Sequence, residues 1–315
     1  QLVREDPAAA EIIKPYLRGQ DIGRWLPEWA GLWMIFARRG IEIANYPSLL
    51  RHLEKFRPQL EPKPDNWKPS ASQPEWPGRK SGRYQWYEIQ DSTEYWRVFE
   101  RPKIVWQAIQ YFPNYALSNE PVYLNNKAFA LESEQTSLIA TLNSPLLWWF
   151  SWRHFPHMKD EALSNDGDKV SAMPIAEPLK DDRDAMEARS TAAVQLSGSV
   201  RSADSLLEDW LKLEFAMDAV PMSLRQASLL DSDGFVAAVR AALPRRQSLT
   251  PTQLRQLRDA FAETAEPSRS ARGELLAHER VLAAMVERAY GLTPEEVALM
   301  WRTAPPRMPL PPPLG

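Results

Sequence analysis

Eleven of the 13 tryptophans in this chain of 315 residues precede residue 153, and only Trp210 and Trp301 follow it. The tryptophan-rich part also contains runs of aromatic and branched residues that favour strands, at 31–37, 103–109 and 122–131. Helical patterns are interspersed among these runs, and the sequence predicts an α+β fold for this part of the chain.

Two helical patterns of the first part are well marked. Residues 46–61 carry leucines at helical spacing, and residues 143–155 place Pro145 in a first helical turn. The Leu/Trp run that follows Pro145 is predicted to be a buried helical face. Trp106 and Gln107 are neighbours in the strand-like run 103–109, and neighbouring side chains of a strand point to opposite sides. Of these two, we expect Trp106 to face the core.

Beyond residue 178 almost every segment has an apolar stripe at three- and four-residue spacing, which is typical of helices. Thr250 and Thr293 are each followed by proline, a pairing that marks an N-cap and a first helical turn. Gly291 is placed to close the helix before Thr293.

The predicted organisation is a mixed-sheet domain over 1–178, a mainly helical region over 179–303 and an extended proline-rich tail over 304–315. If the helical region is a separate appendage, a chain that ends at Leu179 should stay folded.

The composition of the chain indicates where the protein resides but not which activity it has. The absence of cysteine excludes disulfides and thiolate metal sites, and it indicates a reducing compartment. No apolar run approaches the roughly 20 residues that span a bilayer, so we expect a cytoplasmic protein without a membrane partner. The net charge of −3 does not show whether positive charge is clustered on one face. The start at Gln1 suggests a processed chain or a fragment.

No motif for catalysis, cofactor binding or metal binding is recognisable. Residues 143–146 lack the second proline and the aromatic residue of the amino-methyltransferase tetrad, so a helix break is favoured. Glu100 and Lys103 have the wrong spacing for a magnesium-dependent nuclease. His154 and His157 are only two histidines, which favours a surface turn over a metal site.

Several runs occur in an order that is typical of one family. They are "IIKPYLRGQDIGRW" (12–25), "LWMIFA", "YPSLLRHLEKFRPQLE", "WYEIQ", "RPKIVWQAI", "SLIATLNSPLLWWF" and "MPI". Residues 12–178 resemble the TaqI-like C-terminal specificity domain of adenine-specific DNA methyltransferases and fused restriction–modification enzymes. The helical remainder, with "ERAYGLTPEEV", resembles the C-terminal extension of the larger fused enzymes.

The resemblance implies a module that grips double-stranded DNA and reads its sequence. It also implies a methyltransferase domain or subunit upstream, which uses S-adenosylmethionine to methylate a flipped adenine. Whether the parent also cleaves DNA stays open.

The first candidate contacts lie in 12–25. Lys14, Arg18 and Arg24 have the charge for phosphate contact, and the glycines of this run allow close approach. The equally favoured alternative is structural: Arg18 pairs with Asp21, Tyr16 and Trp25 pack, and the glycines serve turns.

The loop 78–88 is the better candidate for base reading. Arg and Gln are the usual readers of guanine and adenine edges, Lys suits phosphate, and an aromatic residue can stack. The candidates here are Arg79, Lys80, Arg83, Tyr84 and Gln85.

Two further groups complete the predicted contacts with DNA. Arg38 and Arg39 follow the 31–37 strand, and Arg153, His157 and Lys159 lie in the turn at 153–159. Two other functions stay open: a protein-interaction subunit, and a single-stranded nucleic-acid binder that stacks bases on Trp and Arg.

Overall fold

The computed structural model describes residues 1–244 and 248–312. They form two compact units. Unit 1 comprises Gln1–Ile22, Pro27–Gln107 and Ser118–Glu134, and unit 2 comprises Gly23–Leu26, Ala108–Leu117 and Gln135–Gly315. These bounds differ from the predicted division at residue 178, because residues 135–178 group with the long helices that follow them.

The fold is α+β with a helical C-terminal region, as predicted. The strands are β1 (Ile13–Leu17), β2 (Trp33–Ile35), β3 (Lys103–Gln107), β4 (Ile109–Gln110), β5 (Tyr115–Ser118), β6 (Tyr123–Leu124), β7 (Ala128–Glu132) and β8 (Leu163–Ser164). The α-helices are α1 (Leu2–Glu5), α2 (Pro47–Glu54), α3 (Arg57–Leu60), α4 (Thr136–Leu142), α5 (Pro145–His154), α6 (Gly167–Ser171), α7 (Arg183–Phe215), α8 (Met222–Arg225), α9 (Ser232–Ala242), α10 (Pro251–Ala260), α11 (Glu266–Ala289) and α12 (Pro294–Arg302).

Unit 1 contains the strands that position the candidate site. β1 pairs antiparallel with β2 and parallel with β6, and β3 pairs antiparallel with β7. Trp106 on β3 is buried, as predicted. A second core, around Ile12 and Leu49, packs the short helices against these strands. Residues 61–95 contain no helix or strand, so the loop 78–88 depends on side-chain contacts for its shape.

Lys103 is a fully buried cation at the start of β3. Its ammonium donates to the carbonyl oxygens of Phe99, Arg101 and Glu120, at 3.0, 3.0 and 2.9 Å. Burial lowers the pKa of Lys103 from 10.5 to about 8, because the charged form loses water. The lysine therefore stabilises this corner through three carbonyls while its own charge is disfavoured.

The stability of the protein is expected to rise between pH 8 and pH 10 on account of Lys103. The pKa of Lys103 is lower in the folded protein than in the unfolded chain, so the unfolded chain binds more protons between these pH values. The free energy of unfolding therefore increases as the pH rises. The gain is about 1–2 kcal/mol, and it ends near pH 10, where the raised pKa of Tyr123 acts in the opposite direction. Urea unfolding of the wild type and of Lys103→Met at several pH values tests this. An equal pH dependence in both proteins would contradict it.

Unit 2 is built on two long helices. α11 packs along α7, a single helix of 33 residues, and Phe235 and Phe261 lie in the core beside α7. A π-helical turn at Phe261–Ala265 joins α10 to α11. β4 pairs antiparallel with β8. Residues 304–312 contain neither helix nor strand, and the last three residues of the predicted tail, 313–315, lie outside the described residues.

The local signals for helix ends in unit 2 are confirmed. The hydroxyl oxygens of Thr250 and Thr293 accept hydrogen bonds from the backbone N–H three residues on, and each belongs to a capping box. Gly291 has a positive φ of 67° just after α11, and Pro145 is the first residue of α5. The buried face predicted for α5 is formed by Leu147, Trp148 and Ser151.

Candidate nucleic-acid interface

Two groups of predicted contact residues come together in unit 1. After β2 the chain buries Phe36 and Ala37 and then presents Arg38 and Arg39. Arg39 donates to the carbonyl oxygens of Ile89 and Gln90, and the N–H of Ile89 donates to Ala37 O at 2.8 Å. The strand-end arginines and the loop 78–88 therefore lie side by side.

Tyr84 and Glu88 fix the loop against this strand end. The Tyr84 ring is buried, and the guanidinium carbons of Arg39 and Arg79 lie 5.1 and 4.7 Å from its centroid. The buried Glu88 carboxylate accepts from the N–H of Gly40 at 2.9 Å and from the N–H of Gln85 at 2.8 Å. Gly40 has a positive φ of 79°, which suits glycine. The loop is thereby held in one conformation.

Arg79 anchors the loop from inside. Its guanidinium donates to the carbonyl oxygens of Leu60, Glu88 and Trp86, at 2.7, 2.6 and 2.6 Å. Burial lowers the pKa of Arg79. The Tyr84 side chain is also engaged within the loop, because its hydroxyl donates a hydrogen bond to Lys80 O. We therefore assign Arg79 and Tyr84 to the scaffold of the loop, and leave them out of the proposed DNA contacts.

Three long polar side chains of the loop face solvent. Arg83 and Gln85 flank the buried Tyr84 and are exposed. Within the described residues, the Arg83 side chain makes no hydrogen bond or ion pair. Lys80 pairs with Asp91 at 3.0 Å, but both side chains are about two-thirds exposed, so this ion pair holds Lys80 weakly. A ligand can reach all three of these side chains.

Beside the loop lies a groove of about 490 Å³, here called the arginine groove. It is lined by Arg38, Arg39, Ser92, Thr93, Glu94, Trp96 and Arg97. The guanidinium carbons of Arg38 and Arg97 lie 5.4 and 5.8 Å from the centre of the Trp96 ring. Trp96 and Arg97 were not among the predicted contacts, although an adjacent Trp and Arg in the sequence are suited to stacking on bases.

Lys14 and Arg18 have internal partners in unit 1. Lys14 pairs with Glu100 at 3.1 Å. Burial opposes ionisation of Glu100, but hydrogen bonds from Tyr123 and Lys14 outweigh it and lower the pKa of Glu100. Arg18 donates to both carboxylate oxygens of Asp21, the pair that the structural alternative predicted.

The glycine that follows Arg18 also serves the fold. A Cβ on Gly19 would lie 2.8 Å from Lys127 O, so glycine is required there by the protein's own backbone. The structural interpretation of this part of the 12–25 run is therefore favoured over contact with phosphate.

Arg24 lies in unit 2 and is largely buried. Its Nε donates to Glu279 Oε1 at 2.6 Å, and its Nη1 donates to Asn143 O at 2.8 Å. The indole N–H of the buried Trp25 donates to the same Glu279 oxygen at 2.7 Å. Arg24 is therefore part of the core of unit 2, and we leave it out of the proposed DNA contacts.

The predicted contacts at 153–159 also lie in unit 2. Arg153 stacks on Trp149, with its guanidinium carbon 3.8 Å from the ring centre, and donates to Thr303 O at 2.8 Å. The ring of His157 lies 2.8 Å from Trp152 O. Lys159 is exposed. Contact of these three residues with DNA stays a prediction.

Among the described residues, no cluster of three or more His, Cys, Asp or Glu side chains is arranged to hold a metal ion. Over the same residues, no helix combines the length and the apolarity that crossing a membrane requires.

Comparison with known proteins finds one family model and a number of similar solved structures. Residues 179–286, about a third of the chain, match the family model "Domain of unknown function (DUF8810)". Among solved structures the chain is similar to the Type IIL restriction-modification enzyme MmeI in complex with DNA, with a TM-score of 0.44 and 13% identity. That match covers 96% of this chain and 32% of the other, so the chain spans about a third of the enzyme's length. No curated protein matches the chain.

Proposed function

We propose that this chain is the sequence-specific, double-stranded DNA recognition module of a restriction–modification adenine-N6 DNA methyltransferase. The observation that carries the proposal is the junction of the strand-end arginines with the loop 78–88 around Tyr84 and Glu88. It places exposed Arg, Lys and Gln side chains on a rigid support, which is what base reading requires.

Within this proposal, different side chains have different tasks. Arg83 and Gln85 read base edges, since forked donors and acceptors suit guanine and adenine. Arg38, Arg97 and Lys80 contact backbone phosphates, with the hydroxyls of Ser92 and Thr93 as further donors. Glu94, an acid in the arginine groove, can accept from the amino group of cytosine.

The methyltransferase part of the proposal rests on the ordered sequence runs alone. It assigns the methyl donor, S-adenosylmethionine, and the adenine chemistry to a domain or subunit outside this chain. The role left for this chain is to hold the duplex in register while that partner acts.

The variants Arg83→Ala and Gln85→Ala are expected to relax preference at particular base pairs, each by about 1–3 kcal/mol of discrimination. Lys80→Ala is expected to weaken binding to all sequences alike, because a point charge on phosphate carries no sequence information. The measurement is selection of bound duplexes from a randomised library by each variant of the full chain. Lys68→Ala, which removes an exposed charge of unit 1, is the control. If all three variants lost affinity for every sequence alike, with no change in base preference, the loop would contact phosphates without reading bases.

A further inference from the structure

A second concave surface of unit 1 has a different chemistry. A groove of about 790 Å³ lies between α1, α2 and the paired strands β1 and β2. Its apolar lining comes from Leu2, Val3, Ala10, Ile13 and Trp33. Trp33 is 58% exposed, and Trp29 packs edge-on against it with ring centres 5.0 Å apart. Tryptophan is enriched at protein interfaces relative to the rest of the surface, so two exposed tryptophans beside an apolar groove are typical of a site for a protein partner.

One rim of this apolar groove is positively charged. Arg51, His52 and Lys55 line it; Arg51 lies on the exposed side of α2, and the exposed Lys55 directly follows the last residue of that helix. Among the lining residues the only acid is Glu5, which lies 3.9 Å from Arg51. Both side chains of that pair are exposed, so it neutralises the rim weakly.

We propose that the apolar groove binds a polypeptide segment that presents an apolar face flanked by acidic side chains, as an amphipathic helix does. The apolar lining takes the leucine-type side chains, and the rim pairs with carboxylates beside them. The groove shares no lining residue with the arginine groove, so this site goes beyond the proposed DNA recognition and does not depend on it.

The test uses the full chain and two labelled helical peptides of about 18 residues with the same leucine face. One peptide has glutamate on its polar face and the other has lysine. Fluorescence anisotropy is expected to show at least tenfold tighter binding of the glutamate peptide. Trp33→Ala and the double variant Arg51→Glu/Lys55→Glu are each expected to weaken that binding about tenfold. All three positions are exposed, so the variants should fold.

Two controls separate this site from others. Leu213→Ala removes an apolar side chain that is 82% exposed in unit 2, and Lys68→Glu reverses an exposed charge; neither should change peptide binding. Trp33→Ala should also keep the duplex affinity of the wild type, so a failure of DNA recognition is distinguishable. Equal binding of both peptides, or binding that Trp33→Ala leaves intact, would overturn the proposal. So would binding to vesicles of acidic phospholipid with none to the glutamate peptide.

Discussion

A chain cut after Leu179 is expected to lose the folded structure of residues 135–178, although the sequence pattern predicts that it stays folded. The first turn of α4 is capped from α7: the Glu187 carboxylate accepts from the N–H groups of Thr136 and Ser137, each at 3.0 Å. Burial opposes its ionisation, yet these hydrogen bonds leave the pKa of Glu187 lowered. The cut removes this cap together with the apolar surface of α7 and α11.

The same cut leaves Arg24 without the partner that neutralises it. The Arg24 and Glu279 side chains are 15% and 10% exposed, so the cut removes an ion pair that holds the segment 23–26 against α11 within unit 2. It also removes the part of α7 whose Ser197 and Arg201 side chains donate to Arg24 O.

Near-ultraviolet circular dichroism and thermal unfolding of the cut chain test this expectation, since Trp148 is buried in the affected segment. In the full chain, Glu187→Ala should lower the melting temperature, whereas Glu214→Ala, at an exposed position of the same helix, should not. A cut chain with a native tryptophan signal and one cooperative transition would contradict the packing described above and restore a boundary near residue 178.

Reversal of two charges in the arginine groove, Arg38→Glu with Arg97→Glu, is expected to weaken duplex binding about 100-fold or more. Both arginines are exposed, and neither forms an ion pair within the described residues. The substitution therefore removes the two proposed phosphate contacts and adds repulsion, and it breaks no ion pair of the fold. Electrophoretic mobility shift or anisotropy with duplex DNA measures the loss.

The matched control for that variant is Lys68→Glu with Lys127→Glu, which changes the net charge equally at exposed positions of unit 1. If binding depended only on total charge, the two double variants would lose affinity alike. A loss of affinity confined to the groove variant would support DNA contact at Arg38 and Arg97. Equal losses in the two double variants would contradict a role of the arginine groove in DNA binding.

Features of the fold that depend on neighbouring residues could be predicted from the sequence. The N-caps at Thr250 and Thr293, the first-turn Pro145 and the closing Gly291 each involve residues within one helical turn. Trp106 is buried as expected, but alternation is not the reason, because its neighbours Ile104 and Val105 are buried too.

The roles of individual cations could not be predicted, because they depend on contacts distant in sequence. Arg24 meets Glu279 across 255 positions, and Arg79 is defined by carbonyl oxygens that no side-chain pattern encodes. From the sequence, both arginines were predicted to contact DNA. In the structure their guanidinium groups bind partners within the protein. Trp96 and Arg97 were missed because nothing local shows that they face Arg38 across the arginine groove.

The central claim is that unit 1 recognises duplex DNA, and its most direct test is the salt dependence of binding by the full chain. The measurement compares a duplex with each of its single strands between about 50 and 200 mM salt. Three exposed cations proposed to contact phosphates, Arg38, Arg97 and Lys80, predict tighter binding of the duplex. They also predict a slope of about −3 in log affinity against log salt. The groove variant should have a slope that is shallower by about two. Equal or tighter binding of the single strands, or a duplex slope near zero, would contradict the account.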